Sequence, residues 1–463
     1  MPLMRPAIRS LLAVLLVAGC GSDDGDIQAD AAPPATFTWH QDVAPLLAEH
    51  CTGCHTEGGI APMSLEDYQT AATFAPTIAA KTAEGVMPPW DAVSTDDCSP
   101  RLGWRDDPRL TAEEIDMLET WADEGAPLGD PATAVPIPDP PDLTLVDATH
   151  RVKPEVGFAP SGDGDQFICY VLDPGIANPA WITGFHVVPS DLTVAHHAVV
   201  TAVPPDSQDE LAALTGPDGY FDCFGGVNVP QSSFVGVWVP GSLPFEAPDG
   251  MGIPFVAGSK LVLQLHYHPI GDDHPPERSE VQLRVTETRP EKQLLFFAIG
   301  NAPSEPILLP GPNDDGVVHF EIPAGVTDHT ETMKFPIDIP DTPQRFPIVS
   351  AFPHMHYVGV DLQATLKRNP AVSDEPGEEC LIKVPHWNFD WQRTYLYDAD
   401  IAQLPTVGDG DELTLKCTYD NTMENPYVRR ALEEQGLELP VDVSLGESTL
   451  DEMCIAAFGL IVD

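Results

Sequence analysis

The chain has 463 residues, 72 of them acidic against 22 basic, for a formal net charge of −50. That excludes nucleic acid as a partner, because phosphate binding needs clustered Lys and Arg. Its 50 prolines, 36 glycines and 43% hydrophobic residues exclude a mostly helical chain and a disordered one, and point to two to four turn-rich domains. The charge reads as a solvated surface; a cationic substrate or redox partner is the sharper alternative, and nothing in the sequence localises it.

The N-terminus reads as an export signal over residues 1–20. Arg5 and Arg9 precede the apolar run Leu11 to Val17, and Ala18-Gly19-Cys20 closes it. The run is too short for a permanent membrane span. Cys after Ala-Gly resembles the bacterial lipobox, which implies lipidation of Cys20 and anchoring to the cell envelope; an ordinary signal peptide with an incidental Cys is the alternative. Residues 21–35, acidic and poor in apolar side chains, read as a flexible tether. Contact with a membrane is expected only through the lipid.

Residues 36–130 read as a small all-α domain carrying one haem c. Cys51-Thr52-Gly53-Cys54-His55 has the spacing at which two thiols add to porphyrin vinyl groups and the next imidazole reaches the iron. A redox Cys-x-x-Cys or a zinc knuckle is the competing reading. The stretch Trp39 to Leu47 predicts a leading helix. Thr111 with Glu114 predicts a capping box, opening a helix with Ile115, Leu118 and Trp121 on one face and Gly125 as its stop. Gly85 to Trp90 resembles the loop supplying the distal methionine in small cytochromes c, making Met87 the expected sixth ligand and Met63 its competitor. Residues 131–143, rich in proline, read as a stiff linker.

Beyond the linker, short β-like runs such as Trp181 to Val188, Lys260 to His268 and Asp411 to Tyr419 predict β-sandwiches. Histidines cluster at His196-His197, at His266 and His268, and at His354 and His356. Residues two apart on a strand share a face, so either His-x-His could bind one ion. The adjacent pair would diverge on a regular strand; joint binding there needs a bent backbone or different ring nitrogens.

From about Leu145 onward the sequence resembles the copper type II, ascorbate-dependent monooxygenases, the peptidylglycine α-hydroxylating and dopamine β-monooxygenase family. The segments carrying this are Ala195-His196-His197, Val237 to Gly241, Leu263 to Tyr267, His354-Met355-His356 and Leu450-Asp451-Glu452-Met453-Cys454, in the family's order. The resemblance implies two jelly-roll sandwiches, residues 144–287 and 288–463, and two copper ions. His196, His197 and His266 would hold one that stores and passes an electron. His354, His356 and Met453 would hold the other, where dioxygen binds and a small-molecule substrate is hydroxylated at C–H. His268 is a possible extra or alternative ligand, whereas His186, His319 and His386 read as core or surface residues. The resemblance also implies disulfides Cys169–Cys223 and Cys417–Cys454, leaving Cys98 and Cys380, whose pairing would tie the haem domain to the rest. Where the amidating branch holds its substrate carboxylate with Arg, this chain has Phe352, and Ile455 and Ala457 stand where a supporting Asn and Tyr are expected. An apolar substrate would suit such a pocket. The haem would relay electrons from an external donor to the first copper. The alternative is a haem and copper electron-transfer lipoprotein without C–H oxidation.

Overall fold

The computed structural model describes residues 36–59, 61–137, 144–162, 165–224, 226–227, 229–269, 274–339, 344–370, 374–446, 448 and 450–463. The expected signal, the tether, Cys20 and the end of the Pro-rich linker lie outside the described residues. No described helix is long and apolar enough to cross a membrane.

The described chain is mostly β, with few helices. A helical unit comes first: a wide turn Trp39–Val43 runs into α1 (Ala44–His50), followed by α2 (Tyr68–Ala83) and α3 (Ala112–Asp123). Thr111 and Glu114 close the predicted capping box on α3, satisfying two amides left free at the helix start. Gly125 follows with φ +81°. Trp39, Val43, Leu47, Ala71, Ile78, Leu118 and Trp121 form this unit's own core. The sequence offers no expectation for α2; Asp67 caps it, Pro76 lies inside it, and Ala71, Ala75, Ile78 and Ala79 are its buried stripe.

The segment joining α2 to α3 leaves the bundle. Trp90, Ala92 and Trp104 enter the core of the β region, and Trp104 stacks on Tyr397 with ring centroids 4.7 Å apart. Arg101 pairs with Glu379 at 2.6 Å, and Cys98 is disulfide-bonded to Cys380. This pairing, open from the sequence, ties the helical unit to strand Glu378–Val384.

The β region is built as sandwiches. In the first, a five-stranded sheet runs Tyr220–Asp222, Gln166–Leu172, Lys260–Tyr267, Ala195–Val203, Ser233–Trp238. In the second, a four-stranded sheet runs His329–Pro336, Glu412–Tyr419, Gly359–Lys367, Glu378–Val384. A ten-stranded sheet backs both. It passes from one to the other where Met251–Phe255 pairs in parallel with Lys292–Gly300. The sandwiches therefore share one hydrophobic core instead of meeting at a hinge. Two further helices, α4 (Gln208–Leu214) and α5 (Pro426–Glu434), lie in connections, the second opened by Asn425 and Pro426.

Candidate metal centres

The first histidine group forms where two central strands of the five-stranded sheet meet. Ala195 pairs with Tyr267 and His197 with His266, so His196 is an extra, unpaired residue. This bulge is the bent backbone that an adjacent pair requires, since it lets consecutive rings turn to one side. One ring nitrogen from each of His196, His197 and His266 lies within 4.8 Å of the other two. The Nδ1 atoms of His197 and His266 are 3.2 Å apart, and those of His196 and His197 are 3.5 Å apart. All three residues are buried. Burial, with neighbouring imidazoles, pushes the His196 pKa down to about 3 and that of His197 well below the usual range. Neutral rings with converging lone pairs are a donor set for a borderline-soft ion such as copper or zinc.

His268 does not join them. Its Nδ1 lies 2.7 Å from Asp165 Oδ1, and its side chain is 41% exposed. The same carboxylate oxygen is 3.0 Å from His266 Nε2. Asp165 is buried, which opposes its ionisation, but His266, His268 and Arg430 prevail and hold it far below the usual carboxylate range. The Asp165 carboxylate lies close to Nε2 without hydrogen-bond geometry, and the His266 ring presents Nδ1 to His197. Arg430 on α5 is 3.5 Å from Asp165 and makes a 2.8 Å ion pair with Asp390, bringing the second sandwich to this network. The sequence reading missed Asp165, which sits in an unremarkable stretch a hundred residues from His266.

The second group faces the first across a cleft of about 960 Å³, lined among others by His197, His354, His356 and Met453. Here the other ring nitrogen is engaged. His354 Nδ1 is 2.8 Å from Gln392 Oε1, and His356 Nδ1 is 3.1 Å from the Asp451 carbonyl. Those acceptors make each Nδ1 the protonated atom and leave Nε2 with its lone pair. Burial, and for His356 the neighbouring His354, pushes both pKa values down, that of His356 to about 3.

Met453 is brought alongside by Glu452, a wholly buried carboxylate. It accepts from the backbone N–H of Met453 at 2.7 Å, of Val358 at 3.1 Å and of Gly359 at 3.2 Å, and from that of His356. Burial pushes Glu452 up to about 8 against the pull of these donors. Two segments almost a hundred residues apart are thus held side by side by one side chain. The disulfide Cys417–Cys454 braces the same segment, and Cys169–Cys223 closes beside the first group, both as the resemblance implied. Two imidazole nitrogens and a thioether suit a soft, reduced ion such as Cu(I).

Aromatic rings connect the groups. Phe167 stacks on His266 at 4.3 Å, packs on Phe224 at 4.7 Å, and Phe224 lies 5.4 Å from His356. Of the histidines expected outside the sites, His186 is buried in strand Ala180–Val188, His319 is half-buried and His386 is exposed.

In the helical unit, Cys51 follows α1, and Cys51 and Cys54 are free thiols, whereas the other described cysteines are disulfide-bonded. Burial pushes Cys51 up to about 12. His55 Nδ1 is 3.1 Å from the Met63 carbonyl, which leaves Nε2 available. This is a thiol and imidazole set that fits covalent haem. Met63 packs against the unit's core, and Met87 stands beyond α2, 36% exposed. Neither methionine sulfur has a described contact with His55. The thiol end of this motif meets the first sandwich: Cys54 Sγ is 3.6 Å from the Pro240 carbonyl. Gly241 has φ +74°, and a Cβ there would come within 3.0 Å of Cys54 Sγ, so glycine is required. Trp238, which ends the strand leading into this loop, pairs with Ala198, the residue after His197.

No family model matches the chain. Peptidyl-glycine alpha-amidating monooxygenase A of Xenopus laevis is 27% identical over 169 residues, covering 35% of this chain. The match takes in 16% of that protein, so the chain spans about a sixth of the relative's length. The major capsid protein P2 of bacteriophage PM2 overlaps 67% of this chain and 97% of its own, at 9% identity and a TM-score of 0.21. The structure of broad bean stain virus overlaps 69% and 90%, at 10% identity and a TM-score of 0.21. Overlaps this loose carry nothing about architecture.

Proposed function

We propose that this protein is a copper-dependent monooxygenase that hydroxylates a C–H bond of a small molecule with dioxygen and draws its electrons through its own c-type haem. The observation that supports it most is the contrast across one cleft: three buried imidazoles converging on one side, and two imidazoles with free Nε2 atoms beside a methionine on the other. The partial similarity to an amidating monooxygenase points the same way.

In this reading His196, His197 and His266 hold one copper, and His354, His356 and Met453 hold the other. Copper supplies one-electron steps at the first position and reduction of dioxygen at the second, so that substrate, dioxygen, two electrons and two protons give the hydroxylated product and water. The protein's residues set this up. Asp165 sets a charge beside His266, Gln392 and the Asp451 carbonyl fix the tautomers of His354 and His356, and Glu452 holds Met453 beside them. The jelly-roll topology of both sandwiches belongs to the same reading.

Haem bound at Cys51, Cys54 and His55, with Met87 completing the iron, supplies electrons singly. The contact of Cys54 with Pro240, and the pairing of Trp238 beside His197, support delivery to the first copper in place of free ascorbate. Export and lipid anchoring at Cys20 complete the proposal and agree with the disulfides elsewhere in the chain.

The test is oxygen uptake by reduced, copper-loaded protein. Uptake that His354→Ala abolishes is expected; uptake unchanged in that variant overturns the assignment. A chain with Cys51→Ser and Cys54→Ser is expected to lose uptake with cytochrome-type donors, and normal turnover in it would sink the haem relay.

A further inference from the structure

The cleft's walls bear on what enters it. Phe234, Phe296 and Phe352 form a row of half-buried rings, with centroids 5.0 Å apart for Phe234 and Phe296 and 5.9 Å for Phe234 and Phe352. The row ends at His354, whose ring lies nearly parallel to that of Phe352 at 6.3 Å. Its members come from three strands, Ser233–Trp238, Lys292–Gly300 and Phe346–His354, so both sandwiches contribute. Among the described lining residues there is no Lys or Arg, and Asp206, the sole acid, is exposed. The remaining polar lining is neutral amide, hydroxyl and buried imidazole.

A carboxylate or phosphate drawn into this cleft would lose water and meet no counter-charge, a cost only pairing offsets. The chain's net charge of −50 opposes anions at longer range as well. A buried ammonium would likewise find no buried acid within the walls, Asp206 being exposed. Rings offered as a continuous row instead reward a flat or hydrocarbon body by burial and edge-to-face packing.

We infer that the cleft selects an uncharged, arene-bearing substrate, laid along Phe296, Phe234 and Phe352 with its reacting carbon toward His354 and His356. This rests on the monooxygenase reading for the reaction but on the cleft alone for the selection.

The experiment therefore uses full-length, copper-free protein without oxygen chemistry. Binding of 4-phenylbutan-1-ol, 4-phenylbutanoate and 4-phenylbutylamine is measured by calorimetry at neutral pH in 0.5 M salt, where long-range fields are screened. The alcohol is expected to bind at least about tenfold more tightly than either ion. Phe352→Arg is expected to reverse the order in favour of the butanoate, and Phe234→Leu to weaken the alcohol several-fold while leaving the melting temperature within a few degrees. Equal or tighter binding of either ion by the unmodified protein overturns the inference. So does failure of all three to bind, or unchanged affinity for the alcohol in Phe234→Leu. Preserved selectivity in a protein that shows no oxygen uptake would sink the oxygenase reading alone; uptake with the opposite selectivity would sink this inference alone.

Discussion

The two histidine groups use the same side chain to opposite effect. In the first, a bulge at His196 and a carboxylate behind His266 bring imidazole nitrogens together, and Nδ1 of His197 and of His266 meet at 3.2 Å. In the second, Gln392 and a backbone carbonyl occupy Nδ1 of His354 and His356, so Nε2 faces the cleft, and a thioether completes the set. What a histidine offers a metal is decided by what stands at its other nitrogen, and in both groups that neighbour is remote in sequence. One group gathers three rings of one kind and reaches the cleft through His197; the other mixes donors and lines the cleft with His354, His356 and Met453.

This contrast can be broken in order of expected effect. Removing a donor outright should be largest: His266→Ala is expected to lower copper content from two ions per chain to one, measured by elemental analysis, with the second site still filled. Loss of both ions would mean the groups are not independent. Next is Glu452→Ala, which strips four backbone amides of a buried acceptor and should cost about 3–5 kcal/mol in denaturant unfolding. The same variant should weaken the second site more than the first; equal weakening would contradict its role as the clamp on Met453. Asp165→Asn keeps the shape but removes the charge behind His266, and a 10- to 100-fold weaker first site in a chelator competition is expected, with the second unchanged.

The last effect is a pH slope away from both groups. Burial pushes Asp91 up to about 7, although Arg393 nearby pulls it down. A carboxyl raised above its unfolded value contributes stability that is present below pH about 4 and lost as the pH climbs toward 7. Asp91→Asn should therefore flatten the fall in melting temperature across that interval, and an identical slope in the variant would show that Asp91 does not cause it.

The histidine motifs were legible from their spacing, but the strand ends at His354, so His356 lies just beyond it and is placed by Glu452 and the Asp451 carbonyl, not by the period of two. The capping box at Thr111 and Glu114 was legible from helix-start chemistry and the run Trp181 to Val188 from its β-like composition, and both formed. His266 and His268 separate because the strand ends at Tyr267 and Asp165 holds His268 away from the triad. The bulge was stated only as a requirement, because pairing register is set by the partner strand and not by Ala195-His196-His197 itself. Asp165, Gln392 and Glu452 stayed hidden, or visible without a role, because each acts on a residue from another part of the chain. Cysteine arithmetic isolated Cys98 and Cys380, but only tertiary packing of the Trp90 to Trp104 arm made their bond.

The most direct test of the central claim is X-ray absorption at the copper edge of the fully reduced protein, with Met453→Ala alongside. The account predicts two coppers per chain and a sulfur scatterer at one of them. In the variant one copper and the sulfur signal should disappear together, leaving a site of nitrogen donors only. A sulfur signal that survives the substitution, or a protein that binds a single copper before and after it, would contradict the division of labour between the two groups.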